Sequence, residues 1–185
     1  MTETLLNISL EALVDFHPIT ASVIIAAALA VALLFLSGFA SGSEIAFFSL
    51  SPDDINELEP EKNEVDAKIQ QLREDNERTL ATILIANNFV NVMIIMLCNY
   101  IFAQLITFKQ AWLQFLCITV ILTFLLLLFG EIMPKVYSRQ NPLSFCRRAV
   151  HGVMILRSFF WPLETILMRS GLLAEKAITK ENRQL

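Results

Sequence analysis

Histidine, cysteine and charged residues are all scarce in this sequence. It contains two histidines and three cysteines in 185 residues, and 17% of its residues are charged. His17 and His151 are isolated, and no phosphate-binding loop, H-E-x-x-H motif or nucleophile–base pair is present. Cys98, Cys117 and Cys146 have neither paired nor metal-binding spacing, so we predict no disulfide. These absences predict that the chain is not an enzyme.

Basic residues are missing where two other classes of protein need them. No run rich in Lys and Arg alternates with aromatic residues, which argues against a nucleic-acid partner. The first 17 residues contain no Lys or Arg, whereas a signal peptide begins with a positively charged region. We therefore expect the first apolar segment to remain in the mature protein.

The sequence contains many hydrophobic residues, and they are grouped in long apolar segments. Hydrophobic residues make up 55% of the chain, and the mean hydropathy is +0.57. Crossing a bilayer takes about 20 apolar residues. Three uncharged runs are long enough: Pro18 to Ser43, Thr79 to Phe108 and Gln110 to Gly130. We predict an all-α integral membrane protein whose transmembrane domain, 18–142, has spans at about 18–42, 80–106 and 111–133.

The positions of Lys and Arg predict the orientation of these spans, because positively charged flanks remain in the cytoplasm. None precedes the first span, and four lie in segment 51–78. Only Lys109 lies between the second and third spans, and basic residues resume at Lys135. The pattern places the N-terminal tail, residues 1–17, outside the cell and the C-terminus in the cytoplasm.

Residues 44–76 are predicted to form short polar helices on the cytoplasmic side. Ser51 has the character of an N-cap, Pro52 suits the first helical position, and acidic residues follow in the first turn. A second polar helix is predicted from roughly Glu64 to Glu74. We assign no chemistry to this segment.

Residues 143–171 allow two structures. The segment is apolar but is interrupted by charged residues and by Pro162, so it is either a fourth span or an amphipathic juxtamembrane helix anchored by Trp161. Arg157 near the middle of a span would cost roughly 2.5–3.5 kcal/mol, which favours the juxtamembrane helix. Residues 172–185 are polar and have the character of a linker.

Polar residues within the predicted spans form three clusters. Ser37 and Ser41 lie four residues apart in the first span, and therefore on one helix face. The first cluster also contains Gly38 and Gly42, the second consists of Asn87, Asn88 and Asn91, and the third of Glu131 with Gly130 and Pro134.

Each cluster has a simpler explanation when it is taken alone. Small residues four apart pack membrane helices closely, asparagines can hydrogen-bond between helices, and Glu131 can pair with Lys135. Together, the clusters supply carboxylate, amide and hydroxyl oxygens without nearby Cys or His, a donor set that suits Mg²⁺ or Na⁺. Helix-breaking residues beside these donors can also expose backbone carbonyls to an ion. The sequence therefore favours a single ion site.

Three ordered motifs carry a family resemblance. They are SGFASGSEIAFFSLS, LATILIANNFVNVMI and FGEIMPKVYSRQNP. In order and spacing they resemble the membrane domain of the CorB/CorC magnesium transporters, the prokaryotic relatives of the cyclin-M (CNNM) proteins, over roughly residues 20–145. One departure is Ala86, which stands where many relatives have a glycine.

The resemblance implies Mg²⁺ transport, as export coupled to Na⁺ entry, by a homodimer in the bacterial inner membrane. It implies that the ion is bound by Ser37, Ser41, Asn87 and Glu131, with Ser43, Asn88 and Asn91 as secondary candidates. Gly38, Gly42, Glu44, Gly130 and Pro134 would line the vestibule or shape the helices. The family also has cytoplasmic cystathionine-β-synthase (CBS) domains, which we expect in the full-length chain.

A second hypothesis comes from a different functional class. A branch of this family in gliding bacteria is associated with motility, so the alternative is a non-transporting membrane scaffold or ion sensor of the cell envelope. A transporter should lose Mg²⁺ binding when Glu131 or Asn87 is replaced by alanine and should remain a folded dimer. A scaffold should tolerate both changes.

Overall fold

The computed structural model describes residues 14–182, without the side chains of residues 14, 164 and 167–182. Most of the predicted N-terminal tail, up to residue 13, and residues 183–185 of the predicted linker lie outside the described residues. The elements in chain order are β1 (Val14–Phe16), α1 (Ala21–Phe48), α2 (Pro52–Asn56), α3 (Glu64–Glu74), α4 (Asn76–Leu105), β2 (Ile106–Phe108), α5 (Ala111–Leu125), a π-helix (Leu126–Ile132), α6 (Met133–Gln140) and α7 (Pro142–Asn182).

Three helices in this part of the chain are long and apolar enough to cross a bilayer. They are α1, α4 and the continuous helical stretch Ala111–Gln140, which joins α5, the π-helix and α6. The predicted all-α membrane class with three transmembrane helices is confirmed. The two short strands were not predicted, because three residues are too few to show the alternating pattern of a strand.

Contacts divide the chain into two compact units. The first unit contains the described residues up to Ser37 together with Val90–Met133, and the second contains Gly38–Phe89 together with the described residues from Pro134 onward. Both α1 and α4 contribute residues to each unit.

The first unit has an apolar core and a small sheet at one end. Leu33, Val90 and Ile94 are buried in the core. Strands β1 and β2 pair antiparallel, with Asp15 opposite Thr107. The backbone N–H of His17 donates to the carbonyl of Leu105 at 2.8 Å, beside this sheet. The segment before α1 and the connection between α4 and α5 therefore lie at the same end of this unit.

The second unit buries apolar residues from α1, α3, α4 and α7. Its fully buried side chains include Ile69, Leu72, Ile83, Val150 and Val153. The hydroxyl of Thr79 at the start of α4 donates to the carbonyl of Leu72 in α3 at 2.7 Å, which ties these two helices together.

Arg147 and Arg157 of α7 form three ion pairs with acidic residues of the polar segment in the second unit, and one of these is between Arg147 and Glu57 at 3.2 Å. Arg147 donates to both carboxylate oxygens of Asp66, at 2.9 and 3.1 Å, and Asp66 is only 2% exposed. These bonds hold the pKa of Asp66 below its ordinary value of 3.8, although burial opposes the shift. Farther along α7, Arg157 forms an ion pair with Asp75. Arg147 and Arg157, two of the charged residues that interrupt the apolar pattern of α7, thus have acidic partners outside the spans.

The predicted starts of both polar helices are confirmed. Ser51 caps α2: its side chain accepts a hydrogen bond from the backbone N–H of Asp54, and the Asp54 carboxylate accepts one from the Ser51 N–H. Pro52 occupies the first position of α2. Helix α3 has the predicted bounds, and Asn63 caps it by accepting from the N–H of Val65 at 2.9 Å.

Candidate functional site

The third transmembrane stretch departs from α-helical geometry beside Glu131. Residues Leu126–Ile132 form a π-helix, and the backbone N–H of Met133 donates to the carbonyl of Leu128, five residues back. The next residue, Pro134, has no N–H and so cannot continue this pattern to the carbonyl of Phe129. Single π-helical turns are frequent at functional sites, because they turn side chains and carbonyls away from the regular ladder. Glu131 is half-buried within this segment.

Three candidate residues come together in the first unit. The Ser37 hydroxyl donates to the side-chain oxygen of Asn91 at 2.7 Å, and Ser37 is completely buried. Gly130 lies against the same hydroxyl, because a Cβ at this position would be 3.1 Å from the Ser37 oxygen. The secondary candidate Asn91, which lies 54 residues from Ser37 in the chain, is therefore its direct partner.

Ser41 in the second unit combines complete burial with an unpartnered hydroxyl. Its side chain is fully buried, and its hydroxyl has no hydrogen-bond partner among the described residues. Nearly all buried polar groups in proteins are hydrogen-bonded, so an unpartnered hydroxyl in a membrane helix requires an explanation. An absent ligand that binds through this oxygen would provide one.

The other candidates of the second unit have different surroundings. Asn87 is buried, at 8% exposure, whereas Asn88 is exposed. The Ser43 hydroxyl donates to the carbonyl of Phe39 in the preceding turn at 2.7 Å. Gly42 allows close packing, since a Cβ there would be 2.7 Å from the ring of Phe145.

Glu44 has a partner that the sequence did not identify. The ammonium of Lys135 in α6 lies 3.2 Å from a carboxylate oxygen of Glu44, and the two side chains are 35% and 22% exposed. From the sequence alone, we considered Lys135 only as a partner of Glu131, four residues earlier. The pair between Lys135 and Glu44 depends on tertiary packing, which spacing in the sequence does not reveal. The sequence feature that could have suggested this pair is the presence of an ionisable residue near the end of each of two spans.

The four primary candidates are divided between the two units. Ser37 and Glu131 belong to the first unit, and Ser41 and Asn87 to the second. Ser37 and Ser41 nevertheless lie four residues apart on the continuous helix α1. Fully buried serines of α1 occur in both units: Ser37 in the first, and Ser41 and Ser43 in the second.

Comparisons with known proteins identify relatives. The family model for the cyclin M transmembrane N-terminal domain matches residues 28–184. The chain is 30% identical over 152 residues to the metal transporter cnnm-4 of Caenorhabditis elegans, covering 80% of this chain and 31% of that protein. It is 31% identical over 130 residues to a UPF0053 protein of Haemophilus influenzae, covering 70% of this chain and 30% of that protein.

A third relative extends the range of organisms. A UPF0053 protein of Synechocystis is 28% identical over 127 residues, covering 69% of this chain and 36% of that protein. The chain thus spans about a third of the length of the curated relatives that it matches. The family match covers most of the chain and all three transmembrane helices except the first residues of α1. This chain belongs to the cyclin-M transmembrane domain family.

Proposed function

We propose that this membrane domain transports Mg²⁺, as export driven by Na⁺ entry, through a site of serine, asparagine and glutamate oxygens. Two observations support metal transport: the family match and the relative whose name describes it as a metal transporter. The choice of Mg²⁺ follows the resemblance to the CorB/CorC magnesium transporters, and the donor chemistry agrees with it, because hydroxyl, amide and carboxylate oxygens with a single negative charge suit a small hard cation such as Mg²⁺ or Na⁺.

The observation that carries the proposal is the buried, unpartnered hydroxyl of Ser41. A serine that serves only helix packing would bond to a carbonyl of its own helix, as Ser43 does. We propose Ser37, Ser41, Asn87 and Glu131 as the ligands. Asn91 then positions Ser37, since a hydroxyl that donates to an amide oxygen can still bind a cation through its own oxygen.

The charge of the proposed site fits a transported ion. Glu131 supplies one negative charge and neutralises part of the charge of a divalent cation, while the remaining ligands are neutral. A weakly charged site can release its ion, whereas a site with several carboxylates would retain it. On the return step, Glu131 would accept Na⁺ or a proton.

We also propose a topology in the bacterial inner membrane. The N-terminal segment and the β1–β2 sheet lie outside, and α2, α3 and α7 lie on the cytoplasmic side. Two observations support this: the distribution of Lys and Arg, and the pairing of Arg147 and Arg157 with acidic partners. In this arrangement α7 is a juxtamembrane helix. We further propose that the domain works as a homodimer and that CBS domains follow it in the full-length protein.

The test is the thermal stability of the detergent-purified protein during titration with Mg²⁺, Ca²⁺ and Na⁺. A ligand that binds only the folded state raises stability, by about 2.7 kcal/mol when its concentration is about 100 times its Kd. We expect a saturable Mg²⁺ effect that disappears in Glu131→Ala. A folded protein that shows no effect at tens of millimolar Mg²⁺ would favour the scaffold hypothesis instead.

A further inference from the structure

The ion pair between Glu44 and Lys135 lies in helices that belong to the candidate spans. Glu44 lies four residues before the end of α1, Lys135 is in α6, and both residues belong to the second unit. Side chains that are 22% and 35% exposed are partly shielded from solvent and remain accessible to it. Ionisable residues in transmembrane helices are costly, and they commonly mark the route of an ion.

Glu44 lies on the same face of α1 as the unpartnered Ser41. The two residues are three positions apart, which places them on adjacent turns of one helix face. A cation that binds the buried Ser41 oxygen would therefore have the Glu44 carboxylate one turn away.

The backbone that carries Lys135 is held in place, while its side chain is long. Ser138, which is fully buried, donates its hydroxyl to the carbonyl of Lys135 at 3.1 Å. The ring of Tyr137 packs edge-to-face on Phe145, and Phe145 lies against Gly42 of α1. A lysine ammonium on its flexible four-carbon stem can leave a carboxylate while the helix stays where it is.

We propose that Lys135 is a tethered cation that neutralises Glu44 until a divalent ion displaces it, and that this exchange selects divalent over monovalent ions. The inference rests on the proposed Mg²⁺ transport and adds to it a residue that determines specificity. Lys135 is a positioning residue here, since it acts on the ion through Glu44.

The selectivity follows from charge. Na⁺ carries the same single charge as the ammonium already at Glu44, so replacing one with the other gains little. Mg²⁺ carries twice that charge, which doubles its attraction to a carboxylate at a given distance. Mg²⁺ also retains several waters when it binds, so Glu44 can attract the hydrated ion without removing its water shell.

The experiment measures the Mg²⁺ concentration that gives half-maximal thermal stabilisation, in NaCl and in choline chloride at equal ionic strength. We expect Lys135→Met to lower this concentration by about tenfold in choline chloride, because the ammonium no longer competes with Mg²⁺ for the Glu44 carboxylate. We also expect Na⁺ to compete with Mg²⁺ more strongly in Lys135→Met than in the unsubstituted protein. Glu44→Gln should shift the Mg²⁺ concentration in the opposite direction.

The matched control is Lys68→Met. Lys68 also forms an ion pair, with Glu64 at 2.6 Å, but the pair lies on α3 outside the spans. Its removal should leave the Mg²⁺ response and the Na⁺ competition unchanged. If Lys135→Met does not fold, the same Mg²⁺ titrations and Na⁺ competition are measured for Lys135→Gln and Glu44→Gln.

The possible outcomes separate this inference from the proposed function. Failure of the unsubstituted protein to respond to Mg²⁺ would overturn both. A normal response that is the same in Lys135→Met and Glu44→Gln would overturn this inference alone. This inference would also be overturned if both variants had equally lowered melting temperatures and an unchanged dependence on Mg²⁺ and Na⁺, because that result is expected of a purely structural ion pair.

Discussion

A buried hydroxyl without a hydrogen-bond partner destabilises a protein unless a ligand binds it, and Ser41 has this property. Leaving such a group unsatisfied costs about 1–3 kcal/mol. We expect Ser41→Ala to be more stable than the unsubstituted protein when no divalent ion is present, by about 1–2 kcal/mol. The same variant should lose the stabilisation by Mg²⁺. Thermal melts with and without Mg²⁺ measure both effects.

Ser138→Ala is the control for this prediction. Ser138 is also fully buried, but its hydroxyl donates to a backbone carbonyl. Its replacement should cost about 1 kcal/mol and leave the Mg²⁺ response intact. If Ser41→Ala behaved like Ser138→Ala, the Ser41 hydroxyl would not be a ligand.

A substitution of Gly130 in the π-helix tests the contact between this residue and Ser37. A methyl group at this position would approach the Ser37 oxygen to 3.1 Å, closer than ordinary carbon–oxygen contact. We expect Gly130→Ala to displace the Ser37 hydroxyl from Asn91 and to raise the Mg²⁺ concentration required for stabilisation by about tenfold. Asn91→Ala should have a similar effect, because it removes the oxygen that accepts the hydrogen bond of the Ser37 hydroxyl. An unchanged titration in both variants would argue against Ser37 as a ligand.

At the scale of secondary structure, the ion pair that joins α3 and α7 should make the stability of the folded protein depend on pH. Arg147 lowers the pKa of Asp66 in the folded state relative to the unfolded chain. The pair therefore contributes stability above about pH 4, and this contribution is lost as the pH falls through the folded-state pKa. We expect Asp66→Asn to lower stability at pH 7 by about 2 kcal/mol. Melting temperatures measured from pH 7 to pH 3 should converge for the two proteins at the acid end.

Glu64→Gln provides the comparison for this element. The Glu64 carboxylate is exposed, and its pKa is lowered chiefly by a hydrogen bond from Lys68. Exposed pairs on a helix surface contribute little to stability. A loss in Glu64→Gln as large as that in Asp66→Asn would contradict the importance assigned to burial.

Much of each element could be predicted from local sequence. Uncharged runs predicted the three long helices, and the residues around Ser51 predicted the cap of α2, because both depend on neighbours in the chain. The β1–β2 sheet, the Ser37–Asn91 bond and the Glu44–Lys135 pair join residues that are far apart in sequence. Neither the hydrophobic periodicity of the sequence nor the spacing of its motifs indicates such contacts. The residue types of the candidate site were visible in the sequence, while their partners required the fold.

At the scale of the whole molecule, the orientation in the membrane can be measured directly. We expect a membrane-impermeant maleimide to label His17→Cys in intact cells, because His17 lies beside the sheet assigned to the outside. Lys68→Cys on α3 should react only after the cells are permeabilised. The unsubstituted protein is the control for its three native cysteines, of which Cys146 is buried. The reverse labelling pattern would invert the proposed topology.

The most direct measurement is Mg²⁺ flux in proteoliposomes that contain the purified protein and a Mg²⁺-sensitive dye. The proposed function predicts a saturable flux that increases with an opposing Na⁺ gradient. It also predicts that Glu131→Ala, reconstituted at the same density, shows only the leak of empty liposomes. Equal leak from the unsubstituted protein, from Glu131→Ala and from empty liposomes, with both proteins folded, would contradict transport by this domain.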